Sequence, residues 1–313
     1  MIASRQLTGA EPVGEAKTGQ RLAAPAGAGM GTERLIVVGR NSYIGGYFTQ
    51  YAQARGASVM SLSSQDCNFL DRSEVERFFR SLGSQPSTLV FLATVNKNVT
   101  NAYQSFLDNA QMVKHLIEGQ RHARINSILS FSAADVYGIT PPVPLTEDAP
   151  ISPESWYSLG KSAGDWMLQH AEDMSCPVTI LRIPGIFGLA PHDRSVIGRI
   201  VSEARATGRV TVHGEGASLR DYVWLSDLCR LMEDLLPLRY HGVLNVATGR
   251  SVRIVDIIRL IGEVLELDYT PVFDAPDPQR AFDLVFDIGR LRSLLPGFRF
   301  SELAEGIRTY REG

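Results

Sequence analysis

Arg34-Leu-Ile-Val-Val-Gly-Arg-Asn-Ser-Tyr-Ile-Gly-Gly-Tyr-Phe48 is the stretch on which the reading of the whole chain turns. Leu35 to Val38 are four consecutive aliphatic residues and read as a buried strand. Gly39 breaks the run. From Tyr43 the period changes, and Ile44, Phe48, Tyr51 and Ala52 fall on one face of a helix. A strand, a tight turn and a helix start together make a shape that holds a dinucleotide pyrophosphate, because helix N-terminal amides point at the anion. The glycines are spaced Gly39-x-x-x-x-x-Gly45-Gly46, with Ser42 where a middle glycine usually sits. Alone, this pattern is equally a plain strand-turn-helix.

The alternation continues outward from it. Ser58–Leu62, Thr88–Ala93, Ile125–Ser132 and Val178–Arg182 read as further strands. Between them run helices from Ser73 (its cap) to Leu82, from Ala102 to His122 and from Glu154 to Met174. The second of these turns Phe106, Met112, Val113, Leu116 and Ile117 inward. Strands alternating with helices predict a doubly wound parallel α/β sheet. Beyond Arg182 the rhythm loosens: a bend at Ile183–Gly188, a helix near Ser195–Thr207, a strand at Val210–Val212, a helix opening at Trp224, a strand at Val243–Val246 and a helix over Ile254–Leu265. The expected division is a nucleotide-binding domain over 33–182, rejoined by 221–248, with 183–220 and 249–313 forming a smaller carboxyl-terminal α/β lobe. Residues 1–32, rich in Ala, Gly and Thr, read as an unpacked tail.

Composition excludes several classes. A formal charge of -3 offers no basic excess for nucleic acid. No apolar run approaches the roughly 20 residues of a membrane helix. Cys67, Cys176 and Cys229 lie far apart and the six histidines do not cluster, so neither a disulfide framework nor a metal site is expected. A cytoplasmic protein is the default.

The most pointed element is Tyr157-Ser-Leu-Gly-Lys161, whose ends share a helix face one turn apart. An ammonium beside a phenol favours phenolate and lowers a pKa normally near about 10. Such a tyrosine can exchange a proton with a carbonyl or alcohol oxygen while hydride moves at the adjacent carbon.

Three other segments accompany the pair in order: Ser130-Phe-Ser-Ala-Ala-Asp-Val-Tyr-Gly138, Leu181-Arg-Ile-Pro-Gly-Ile-Phe-Gly188, and the run from Val212 to Asp227 containing Arg220-Asp221. Together they resemble the extended short-chain dehydrogenase/reductases, the NAD-dependent epimerase/dehydratase family that modifies nucleotide sugars. The resemblance runs from about Leu35 to the terminal helix and implies a Rossmann-type domain. It also implies residue roles. Tyr157 resembles the catalytic acid/base, and Lys161 its ribose-binding partner. Gly39, Asn41, Ser42 and Gly45, with the amides of Tyr43 and Ile44, resemble the pyrophosphate cradle. Asn68 and Phe69 resemble the adenine contact, although aspartate is more usual at Asn68. Leu92, Ala93, Thr94 and Ser130 resemble the strand ends along the cofactor. Ile183, Pro184 and Ile186 resemble the nicotinamide contact, and Arg220 the arginine on the substrate diphosphate. A homodimer is a family-level expectation.

Two departures sharpen the reading. Where the family places a Ser or Thr hydroxyl against the reacting oxygen, this chain has Ala133. Ser132 is next to it but points to the other face of a regular strand, so Ser132, Asp135 or water is left as the substitute. At the end of the second strand no carboxylate appears until Asp66, while Arg40 follows the loop's first glycine. That combination favours NADP(H), with NAD(H) possible. The expected activity is NADPH-dependent reduction of a 4-keto-6-deoxy nucleotide sugar. The alternatives are an epimerase holding NAD tightly and a non-catalytic cofactor-binding regulatory subunit. Sugar specificity is expected in the loops Leu189 to Ser195 and Asp274 to Arg280.

Overall fold

Six parallel strands form the central sheet, in the order β10-β5-β4-β3-β1-β2. In chain order its first half runs β1 (Arg34–Val38), α1 (Tyr43–Ala54), β2 (Val59–Leu62), α2 (Arg72–Ser81), β3 (Ser87–Phe91), α3 (Tyr103–Gln120), β4 (Ile125–Ala133), α4 (Trp156–His170) and β5 (Val178–Ile183). There follow β6 (Gly185–Phe187), α5 (Val196–Thr207), β7 (Arg209–His213), β8 (Leu219–Arg220), β9 (Tyr222–Trp224), α6 (Leu225–Leu235) and β10 (Gly242–Asn245). The last part holds β11 (Val252–Arg253), α7 (Ile254–Leu265), β12 (Thr270–Asp274), α8 (Gly289–Leu294) and α9 (Leu303–Arg308). The structure, a computed structural model, describes residues 33–97, 99–139, 141–188, 193, 195–275 and 282–312. The expected tail at 1–32, most of Leu189 to Ser195 and residues 276–280 lie outside the described residues.

Alternation along β1 shows why the sheet is covered on both faces. Leu35 and Val37 pack with Phe48, Tyr51 and Ala52 of α1 and with Leu228 and Met232 of α6. Ile36 and Val38 pack on the opposite face with Val75 and Phe79 of α2 and Leu116 of α3. Chain order reverses at β1, which has β2 on one side and β3 on the other. A crevice therefore opens at the carboxyl ends of β1 and β3, where ligands bind in open α/β sheets.

Several boundaries depart from expectation. Asp71, not Ser73, caps α2: its Oδ1 accepts from the amides of Ser73 and Glu74, and the Ser73 hydroxyl donates to the same oxygen. A carboxylate serves better there because it meets the positive end of the helix dipole. The fourth helix is shorter than Glu154–Met174: Ser155 caps its start, accepting from the Ser158 amide at 3.1 Å, and it ends at His170. Phe106 is only half-buried and lies against Trp156 instead of the sheet.

A separate cluster gathers Phe187, Ile197, Val201, Val210, Tyr222, Ile257, Ile261 and Ile307 beside the sheet. Phe286, Ile288 and Leu291, expected within the lobe, instead join the core over the α1 and α6 face. The physical reason is that α8 lies alongside β10 and shields its apolar residues.

Candidate active site

The glycine loop is built around the Ser42 side chain. Its hydroxyl donates to the Gly39 carbonyl at 2.7 Å and accepts from the Gly45 amide at 3.0 Å, so Ser42 caps α1 from inside the turn. That leaves no room for a side chain at Gly45, where a Cβ would fall 2.2 Å from Gly39 O. Gly39 has φ +108 and faces Leu92 and Ala93, where a Cβ would come within 3.1 Å of Leu92 Cβ. With the Gly45 amide capped and the Gly46 amide bonded to Ser42 O, the amides of Tyr43 and Ile44 are left without a partner among the described residues. Two free amides at a helix N-terminus, over a floor of backbone with no side chain, fit a pyrophosphate. Tyr43 itself ties the loop to the far segment, donating to Gly188 O at 2.7 Å.

At the end of β2, Arg40 is already engaged. Its Nη2 lies 2.9 Å from Asp66 Oδ2, and its Nη1 donates to Ser61 O at 3.1 Å. Asp66 folds back to the strand end, accepting from the Ser63 amide at 2.8 Å and hydroxyl at 2.6 Å. Those hydrogen bonds and then Arg40 hold its carboxyl below the ordinary range. Nearby, Asn68 turns Oδ1 to the Leu70 amide at 3.1 Å, while Phe69 is buried against Phe91. The segment after β3 is pinned by the buried Asn109, whose Oδ1 accepts from the Val95 amide at 2.7 Å and the Thr94 hydroxyl at 3.2 Å.

Tyr157 and Lys161 stand in the first turns of α4, with the ammonium 5.9 Å from the centre of the Tyr157 ring. Gly160 and Gly164 allow the helix to lie close to α3, since a Cβ at Gly160 would be 3.1 Å from Asn109 Cβ. Lys161 Nζ donates to Phe131 O at 2.8 Å, fixing it under the end of β4. Burial lowers its pKa to about 8, partly offset by Asp165. Lys161, Asp165, Ser130 and Asn109 line one small pocket between β4, α3 and α4.

Two expectations need correction here. The phenol of Tyr157 is not lowered: burial foremost, then the carboxylates of Asp135 and Asp165, push it above its ordinary value. Lys161 is drawn instead to the backbone carbonyl of Phe131. Ser132 does not serve as a replacement hydroxyl, because it is buried and donates to Asp165 Oδ2 at 2.9 Å. Its strand stays extended through Ala133 (φ -142, ψ 153), so no bend turns Ser132 to the other face. Asp165 also meets Arg182 Nε at 3.2 Å, and Arg182 continues to the Tyr137 hydroxyl at 3.1 Å. Burial raises the Asp165 carboxyl, against the pull of Arg182.

Lys97, which nothing in its loop sequence marks, forms an ion pair with Asp135 and lies 5.7 Å from the Tyr157 ring centre. The sequence signal for Asp165 is its place four residues after Lys161, on the same helix face. Arg220 lies on β8, with Nη1 donating to the Leu219 carbonyl at 2.9 Å and to that of Phe282, and its guanidinium 4.4 Å from the Phe282 ring centre. Asp221 does not pair with it, accepting instead from the amides of Thr248, Gly249 and Arg250. Ile183 and Ile186 are half-buried on either side of Pro184, with Gly185 lying close to the Tyr222 ring. Among the described residues no His/Cys/Asp/Glu group is arranged to hold a metal, and no helix is long and apolar enough to cross a membrane.

Comparison with known proteins agrees with this architecture. A dTDP-4-dehydro-6-deoxy-D-allose reductase of Streptomyces bikiniensis is 22% identical over 293 residues, covering 83% of this chain and 90% of that protein. The structure of RMD from Pseudomonas aeruginosa complexed with NADPH superposes with a TM-score of 0.76 at 20% identity, over 90% of this chain and 98% of that one. A dTDP-glucose 4,6-dehydratase from Streptomyces venezuelae with NAD and TYD bound gives 0.76 at 21%, over 90% and 97%. The model of the NAD dependent epimerase/dehydratase family matches residues 35–247, and the chain belongs to that family of enzymes.

Proposed function

We propose that the protein is a reductase of a 4-keto-6-deoxy nucleotide sugar, using NADP(H) in preference to NAD(H). The observation that carries this reading is the placement of Tyr157 and Lys161 on one face of α4, with Lys161 fixed under the end of β4. A bound reduced nicotinamide supplies hydride to the keto carbon. Tyr157 gives its proton to the oxygen; a phenol held protonated by burial suits that direction, since the reduction needs an acid. Lys161 holds the ribose side, and the Tyr43 and Ile44 amides hold the pyrophosphate. Asn68 and Phe69 meet the adenine; Leu92, Ala93, Thr94 and Ser130 flank the ribose; Ile183, Pro184 and Ile186 flank the nicotinamide. Asp135 and Arg220 meet the substrate. Residues 33–182 and 221–248 carry the cofactor, and 183–220 with parts of 249–313 carry the sugar nucleotide. The similarity to an allose reductase supports the direction, and Arg40 at the end of β2 supports the 2′-phosphate.

One observation favours a second reading. Asp66 stands beside Arg40 at that strand end, and a carboxylate there can accept from a ribose 2′-hydroxyl. That suits an epimerase with tightly held NAD. The test is purified protein with NADPH and a panel of 4-keto-6-deoxy nucleotide sugars, following loss of reduced-nicotinamide absorbance. Turnover lost in Tyr157→Phe upholds the reductase. Sugar interconversion with co-purifying NAD and no net oxidation replaces it with the epimerase.

A further inference from the structure

We infer that Lys97 is the second hydrogen-bond donor to the reacting oxygen, its ammonium doing beside Tyr157 what the side chain of Ala133 cannot. The inference rests on the keto-sugar reduction proposed above. Ala133 offers no polar group, and the Ser132 hydroxyl is buried on Asp165. The other ammonium near the phenol is fixed elsewhere, since Lys161 donates to Phe131 O. Lys97 reaches the ring from the β3–α3 segment at about the same separation as Lys161, 5.7 against 5.9 Å. It differs in being open to a ligand: its side chain is 45% exposed and that of its partner Asp135 is 37% exposed. Asp135 follows Ala133 by two residues, so the ammonium is tethered to the same segment that lacks the hydroxyl. An ammonium has three protons, and a bond to Asp135 leaves two for a ligand.

Charge balance gives this donor its role. As the keto carbon accepts hydride, the carbonyl electron pair moves onto oxygen, which takes the Tyr157 proton. The phenolate left behind is reprotonated from solvent, and Lys97 keeps its proton throughout. A fixed cation aimed at the oxygen stabilises the charge that develops on it. A charge-assisted bond of this kind is stronger than one from a neutral hydroxyl.

The experiment measures kcat, and NADPH affinity by fluorescence, in Lys97→Met with and without Ala133→Ser. The expected result is a kcat loss of roughly a hundredfold with NADPH affinity unchanged, partly recovered when Ala133→Ser restores a hydroxyl. An unchanged kcat, a matching loss of NADPH affinity, or no recovery with the serine overturns the assignment. A turnover-independent arm uses Tyr157→Phe as the background. There, Lys97→Met is expected to weaken binding of a keto-sugar nucleotide several-fold while leaving the bare nucleoside diphosphate unaffected. Equal weakening of both overturns the inference. If wild-type protein turns over no keto sugar, the reductase reading falls, and this binding arm still decides the role of Lys97.

Discussion

Arg40 and Asp66 form an ion pair, 2.9 Å apart, at the carboxyl end of β2, where the adenosine ribose of a dinucleotide passes in folds of this kind. The pair makes cofactor choice a competition, because a 2′-phosphate must share the guanidinium with a carboxylate. Arg40→Ala is expected to weaken NADPH by about tenfold or more, a charged hydrogen bond being worth about 1.5–3 kcal/mol, and to leave NADH nearly unchanged. Asp66→Asn should strengthen NADPH and weaken NADH. Equilibrium titration of both nucleotides by fluorescence checks this, and equal losses in Arg40→Ala remove the argument for NADP(H).

The ammonium of Lys161 sets a basic limit on activity. Burial holds its pKa near about 8, against 10.5 for a free lysine. Binding a ribose hydroxyl through the charged form requires the proton, so kcat/KM is expected to fall as pH rises through about 8. Stability moves the opposite way. Between about 8 and 10.5 the unfolded chain binds more protons than the folded one, so folding gains with rising pH in that window. Asp165 pulls the ammonium upward, and Asp165→Asn should shift the activity limb to lower pH. A kcat/KM profile with an unmoved limb excludes Asp165 as the positioning charge.

The strand-helix alternation was legible because each element carries its own period. The helix over Ile254–Leu265, for example, is found with the expected ends. The Tyr157/Lys161 pair was legible for the same local reason. What could not be read joins distant parts of the chain: Lys97 to Asp135, Arg40 to Asp66, and Arg182 to Asp165 across two elements. No periodicity records which charge meets which. The direction of the Tyr157 shift is not legible in the sequence, because a spacing reveals the nearby lysine but not the burial or the two carboxylates.

Arg182 and Asp165 are a buried pair, with side chains 2% and 5% exposed. Removing one partner strands the other charge. Arg182→Leu is therefore expected to cost about 3–5 kcal/mol in urea unfolding. The double variant Arg182→Leu with Asp165→Leu should recover a large part of that loss. A single variant within about 1 kcal/mol of wild type means that the pair is not what holds β5 to α4.

Ser42 and Gly45 depend on each other. Gly45→Ala puts a methyl group onto Gly39 O and close to the Ser42 hydroxyl. An overpacking cost of about 1–3 kcal/mol is expected, with NADPH affinity falling because the turn must open. Ser42→Ala removes the cap and should cost about 0.5–2 kcal/mol in thermal unfolding. If Gly45→Ala binds NADPH like wild type, the loop is not the pyrophosphate site.

The sixth strand has a consequence for synthesis. β5 ends at Ile183, yet its neighbour β10 begins only at Gly242, after the whole of β6 to α6 has been made. A nascent chain that has just completed β5 carries an open edge of unpaired backbone amides and carbonyls, flanked by apolar side chains. Such edges pair with other chains unless they are covered. The sheet is therefore complete only once residue 245 has been made, and until then the β5 edge stays open to pairing with other chains.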